Sequence, residues 1–171
     1  MNIENLYREA EICYKTDHCK AKELYHRIVD EIGDKSIDEM DDSELRFFAL
    51  SQQRIFLSSQ FQDIESSDRA VEAFELFFER DEHDVETYSE YILTLELTYQ
   101  YEKQFKVLRD LLSKDGMKPL ALSFLSSISF SAEGLQTYDD CLRYKEQLID
   151  VTDDPKEKKR LQKELDDLKN H

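Results

Sequence analysis

Two segments, RAVEAFELFF (Arg69–Phe78) and KQFKVLRDLL (Lys103–Leu112), carry their apolar residues in the same register. Val71, Phe74, Phe77 and Phe78 of the first stand 34 positions ahead of Phe105, Leu108, Leu111 and Leu112 of the second. A third segment, QTYDDCLRYKEQL (Gln136–Leu148), follows after 33 positions, with Tyr138, Cys141 and Tyr144 in place of Phe105, Leu108 and Leu111. Spacings of three and four put these side chains on one helical face. A repeat of this length marks stacked helix–turn–helix units, none of which can bury its apolar face alone.

The composition agrees with an all-α chain. Among 171 residues there are only 3 Gly and 2 Pro against 36% charged residues, and the turns of a β-protein need many more of both. The length suits one domain over residues 1–171, built of about four helix pairs. The net charge of −16 is uneven: residues 1–85 hold 22 Asp+Glu and 10 Lys+Arg, residues 86–171 hold 17 and 13. Direct nucleic-acid binding is not expected, because phosphate contacts need clustered Lys and Arg. A basic protein or peptide is the partner that such a surface attracts. MNIENLYREAEICYK has no signal-type apolar core and no run is long enough to cross a bilayer, so a cytoplasmic protein with no membrane contact is expected. Cys13, Cys19 and Cys141 form no tight pair and are read as reduced, packed thiols.

The helices then follow in order. Pair one spans 1–32, with Ile3, Leu6, Tyr7, Ala10 and Tyr14 on one stripe and Ala21, Leu24, Tyr25 and Ile28 on the other; Asp17 opens its second helix and Gly33 ends it in a left-handed turn. Residues 33–42 form an acidic loop, the most mobile segment expected, with too few apolar residues to pack well, although Ile37 and Met40 could dock. Pair two covers 43–81: Ser43 caps a helix over 44–60, and the SSD stretch (Ser66–Asp68) opens another over 69–81. Pair three occupies 85–114, with Tyr88, Tyr91, Ile92 and Leu95 inward. Pair four occupies 118–150, opening at Pro119 with a first helix to about Ser131. Asp154 and Pro155 start a capping helix over 155–170, whose apolar stripe is Leu161, Leu165 and Leu168.

These residues resemble the tetratricopeptide repeat family. The shared features are the 34-residue period, a residue early in the first helix (Tyr88, Ala121), a hydrophobic pair after it (Tyr91 and Ile92; Phe124 and Leu125) and a large residue closing that face (Leu95, Ile128). The small residue that the family places early in the second helix is present as Ala70 but replaced by Gln104 and Thr137. No Trp occurs, the family's Pro is missing from most joints, and the first unit is degenerate. Other α-solenoids and a compact helical bundle share the same helix content. The resemblance implies a concave groove lined by first helices. Its positions here are Glu86, Ser89, Leu93 and Glu96 in pair three, with Leu122, Ser126 and Ser129 in pair four. Family members that hold a C-terminal carboxylate use Lys, Arg and Asn at such positions; Glu, Ser and Leu suit a basic amphipathic segment instead.

No residue set has the pattern of a catalytic or metal centre. Cys13, His18, Cys19 and His26 lack the spacing of zinc ligands, and Cys13 with His18 has neither an orienting third group nor an oxyanion site. Paired acids such as Asp139 and Asp140 point to different sides of a helix. The loop with Asp34, Asp38, Glu39, Asp41 and Asp42 lacks the ligand order and central Gly of a calcium loop, and no glycine-rich phosphate loop occurs. No enzyme activity, metal or cofactor is therefore expected. The function expected is a protein-binding scaffold, such as an adaptor, chaperone-like or regulatory protein. It would use the groove and an acidic surface of Asp34, Asp38, Glu39, Asp41, Asp42, Glu79 and Glu82. The alternatives are an acidic inhibitor or immunity protein that mimics nucleic acid or neutralises a basic nuclease, and a structural protein that self-associates, for instance as a homodimer.

Overall fold

The computed structural model describes residues 2–80, 84–114, 116–127 and 129–170. Among them the chain is all-α: ten α-helices and one 3-10 turn, with no strand. The helices are α1 (Ile3–Tyr14), α2 (His18–Ile32), α3 (Asp42–Ser58), α4 (Ile64–Arg80), α5 (Val85–Leu97), α6 (Tyr101–Leu111), α7 (Lys118–Leu125), α8 (Ser129–Ala132), α9 (Tyr138–Val151) and α10 (Pro155–Lys169). The chain divides into two compact units, residues 1–98 and 99–171, and the boundary falls at the turn between α5 and α6, inside the segment read as pair three.

In the first unit consecutive helices pack in pairs, and α3 also touches α1 and α5. Odd-numbered helices thus form one layer and α2 and α4 the other. Tyr25, Phe48, Phe56 and Phe74 are fully buried between the layers, each worth roughly 1.5–3 kcal/mol of transfer free energy. Phe78 stacks on Tyr88 with ring centroids 3.5 Å apart, joining α4 to α5. In the second unit α6 packs on α7, α7 on α9 and α9 on α10, around Leu108, Leu122, Leu125 and Phe130. Leu161 and Leu165 seat α10, and ion pairs from Lys145 to Glu164 (2.8 Å) and Lys169 to Glu146 (2.7 Å) flank them.

Several local expectations are corrected. Gly33 does not turn left-handed: its φ is −69°. A Cβ built there would stand 2.6 Å from the Val29 carbonyl oxygen, so its missing side chain serves a close approach. The segment 33–42 is ordered by a 3-10 turn at Ile37–Glu39, a capping box between Ser36 and Glu39, and burial of Met40. Arg80 completes it from the end of α4 by donating to the carbonyls of Met40 (2.6 Å) and Asp38 (3.1 Å). Asp41, not Ser43, caps α3, in a reciprocal box with Glu44. The helix α4 begins five residues before Arg69, because Asp63 accepts the Ser66 amide at 3.1 Å and the SSD stretch lies inside the helix. The first helix of pair four stops at Leu125, where the hydroxyls of Ser123 and Ser126 turn back onto carbonyls three residues earlier. Gln136 then satisfies the freed Leu125 carbonyl at 2.8 Å. Of the three cysteines, Cys13 and Cys141 are buried as expected and Cys19 is exposed.

Candidate functional site

Spacings of three and four build the site. Tyr7 and Glu11 on α1, Arg46, Leu50 and Arg54 on α3, and Glu86, Ser89 and Glu90 on α5 each fall along one ridge of their helix. Together with Thr87 they line a cleft of 330 Å³ in the first unit.

Arg54 is its centre. Its side chain is only 16% exposed. The guanidinium donates to Glu11 from Nε at 2.9 Å and from Nη2 at 3.4 Å, and reaches Glu90 Oε1 at 3.5 Å. One cation therefore ties α1, α3 and α5. Its carbon also lies 5.5 Å from the Tyr14 ring centroid, where the ring face attracts a positive charge. The Tyr25 hydroxyl donates to Glu11 at 2.6 Å. Burial pushes Glu11 upward, but hydrogen bonds from Arg54 and Tyr25, with the Arg54 charge, outweigh it and hold the carboxyl below its ordinary value. The same burial and the neighbouring carboxylate raise the Tyr25 phenol above its usual range. Glu11 is thus an ionised structural anchor, and Tyr25 its neutral donor.

Arg46 forms a second tie. Its Nε donates to Thr87 Oγ1 at 2.9 Å and lies 3.0 Å from Asp84 Oδ2, while Asp84 caps α5 by accepting the Thr87 amide. Glu86 stands at the rim with its side chain 92% exposed and only a 3.9 Å contact to Arg46. Beneath the cleft Gln53, fully buried, donates to the Glu90 carbonyl and to Thr94 Oγ1, each at 2.9 Å. Glu90 Oε2 is buried and has no hydrogen-bond partner among the described residues.

Of the groove positions expected from the sequence, Glu86 and Ser89 line this cleft; Leu93 and Glu96, also on α5, are half-buried and do not. Leu122 is fully buried, so it belongs to the core of the second unit and not to a groove. Ser126 is buried too, with its hydroxyl committed to the Ser123 carbonyl, and Ser129 is half-buried beside Ser127. The acids Asp34, Asp38, Glu39, Asp41, Asp42 and Glu79 are exposed; Asp41 caps α3 and Asp42 lies 3.7 Å from Arg80. Glu82 and Ile128 fall outside the described residues. Sequence reasoning missed Tyr7, Glu11, Arg46, Leu50 and Arg54, although spacings of four on α1 and α3 carried the signal.

Comparison of the chain with protein-family models, curated proteins and solved structures gave no significant match. The fold itself is that of an all-α protein of helices packed in adjacent pairs.

Proposed function

We propose that this is a non-catalytic protein-binding module, built of tetratricopeptide-like helix pairs, that takes a basic protein or peptide segment against α1, α3 and α5 of its first unit. The observation that carries this reading is the unbalanced cleft: Glu11, Glu86 and Glu90 line it with Arg46 and Arg54. Arg46 is matched by Asp84, and Arg54 by Glu11. That leaves Glu86 reaching into solvent and Glu90 Oε2 lacking a donor. The exposed Glu86 carboxylate is open to a lysine or arginine of a partner, and the buried Glu90 beside it adds to the attraction of a positive charge. The alternation of first helices along the cleft supports the resemblance to tetratricopeptide repeats, whose first helices form the binding face.

The test is fluorescence anisotropy of a labelled amphipathic helix bearing lysines, against a twin with every Lys replaced by Gln. The lysine peptide binds, and Glu86→Gln with Glu90→Gln weakens it about tenfold. Equal binding of both peptides sinks the proposal. A second reading, neutralisation of a basic nuclease, draws on the exposed Asp34, Asp38, Asp41, Asp42 and Glu79. Binding steered by these acids falls steeply with added salt and survives the two cleft substitutions.

A further inference from the structure

The second unit carries a separate cleft of 440 Å³, walled by Tyr99, Tyr101, Glu102, Lys103, Glu133 and Leu135, with no residue shared with the cleft of the first unit. Tyr99 stands in a left-handed backbone conformation, φ 57°, with 79% of its surface exposed. Glycine takes that conformation freely, whereas an aromatic residue is strained there and leaves its ring in water. Stability therefore gives no reason for a tyrosine at this turn. The Tyr101 ring lies 6.1 Å from that of Tyr99 at 75°, so the two form adjoining walls of a corner. Glu102 and Glu133 are exposed beside them. The third charged group, Lys103, is already engaged, and the three side chains leave one net negative charge.

We propose that this corner binds the guanidinium of an arginine in a partner protein. A planar cation stacks on one tyrosine face and is drawn by the electron-rich surface of both rings, while a carboxylate at the rim accepts its N–H groups. A neutral apolar side chain would gain from the rings but leave the net negative charge of the cleft uncompensated. An anionic one would meet their charge directly.

The probe is acetyl-Gly-Arg-Gly-amide, with its citrulline twin, which keeps the shape and removes the charge. Titrations of the full chain are followed by the backbone amide resonances of Tyr101 and Gly134. The arginine peptide shifts both in a saturable way and the citrulline twin binds at least about tenfold more weakly. Tyr99→Gly, which relieves the left-handed strain, keeps the cooperative unfolding of the parent and loses about tenfold in affinity. Glu133→Gln weakens binding by a smaller factor and leaves folding unchanged. The proposal is overturned if no saturable shift appears, if citrulline binds as well as arginine, or if Tyr99→Gly binds like the parent. Glu86→Gln with Glu90→Gln leaves these shifts unaltered, which separates this site from the first.

Discussion

Replacing Arg54 by Met removes the charge that ties α1, α3 and α5 while keeping an unbranched apolar stem to fill its place. Breaking a fully buried ion pair destabilises by about 3–5 kcal/mol, and an exposed pair contributes about 1 kcal/mol or less. Arg54 is 16% exposed, with Glu11 at 34% and Glu90 at 29%, so the site lies between these limits. A loss of about 2 kcal/mol follows, equivalent to a fall of about 1 M in the urea midpoint for a slope near 2 kcal/mol/M. The pH dependence carries the diagnostic sign. In the parent, Glu11 has a lowered folded pKa, so its stabilisation is full above the unfolded value and is lost as pH falls through the folded one. Without Arg54, burial of Glu11 is opposed chiefly by the tyrosine hydroxyls, and its pKa rises above the parent's. The variant then takes up a proton at higher pH, and the gap between parent and variant narrows from about pH 7 to about pH 4. Urea denaturation followed by far-ultraviolet circular dichroism at a series of pH values measures this. Adding Glu11→Gln to the variant recovers part of the loss, because the unpaired carboxylate is gone. A gap below about 0.5 kcal/mol, or one that does not change with pH, refutes the reasoning.

Leu108, fully buried in α6, should destabilise the second unit by about 2–5 kcal/mol when replaced by Ala, measured by the same denaturation; a value near zero would mean that its helix face is not in the core. Gly33→Ala sets two effects against each other. At φ −69° an alanine is conformationally welcome, yet its Cβ would stand 2.6 Å from the Val29 oxygen. Crowding wins, and thermal denaturation should show a loss of about 1–3 kcal/mol; a gain in stability rules the contact out. Of the three thiols, exposed Cys19 should react at once with an aromatic disulfide reagent, whereas Cys13 and Cys141 wait for unfolding. Burial pushes the Cys141 thiol up, which slows it further. A fast phase that survives Cys19→Ser contradicts this.

Helical periodicity was the most legible feature of the sequence, because scarce Gly and Pro left few other options and Phe74, Phe77, Leu108 and Leu111 fell on inward faces where the structure buries them. Helix ends were less legible. Asp41 and Ser43, or Asp63 and Ser66, are equally good caps by residue type, and tertiary packing decides which one the chain uses. Arg80 was invisible as the partner of residues 38 and 40, since its contacts cross 40 positions or more of sequence. In the cleft, Glu86 and Ser89 could be read from the register of α5. Spacings of four place Glu11 on one ridge with Tyr7 and Arg54 on one with Arg46, but they do not say that these ridges meet, because α1 and α3 do not follow the repeat clearly and the Glu11–Arg54 pairing spans 43 positions. Leu122 was misplaced for a related reason: α7 is apolar on several sides, so its sequence does not single out one outward face.

Gln53 has a mechanical consequence. From α3 its amide nitrogen engages both the Glu90 carbonyl and the Thr94 hydroxyl of α5, two groups that are themselves joined by a 2.8 Å hydrogen bond. Axial translation of α5 by a turn would unseat both bonds together, whereas a small rocking motion about Gln53 would preserve them. The pair of bonds thus resists sliding of α5 along α3 more than pivoting about Gln53, and it fixes the order of the charged groups along the adjoining cleft.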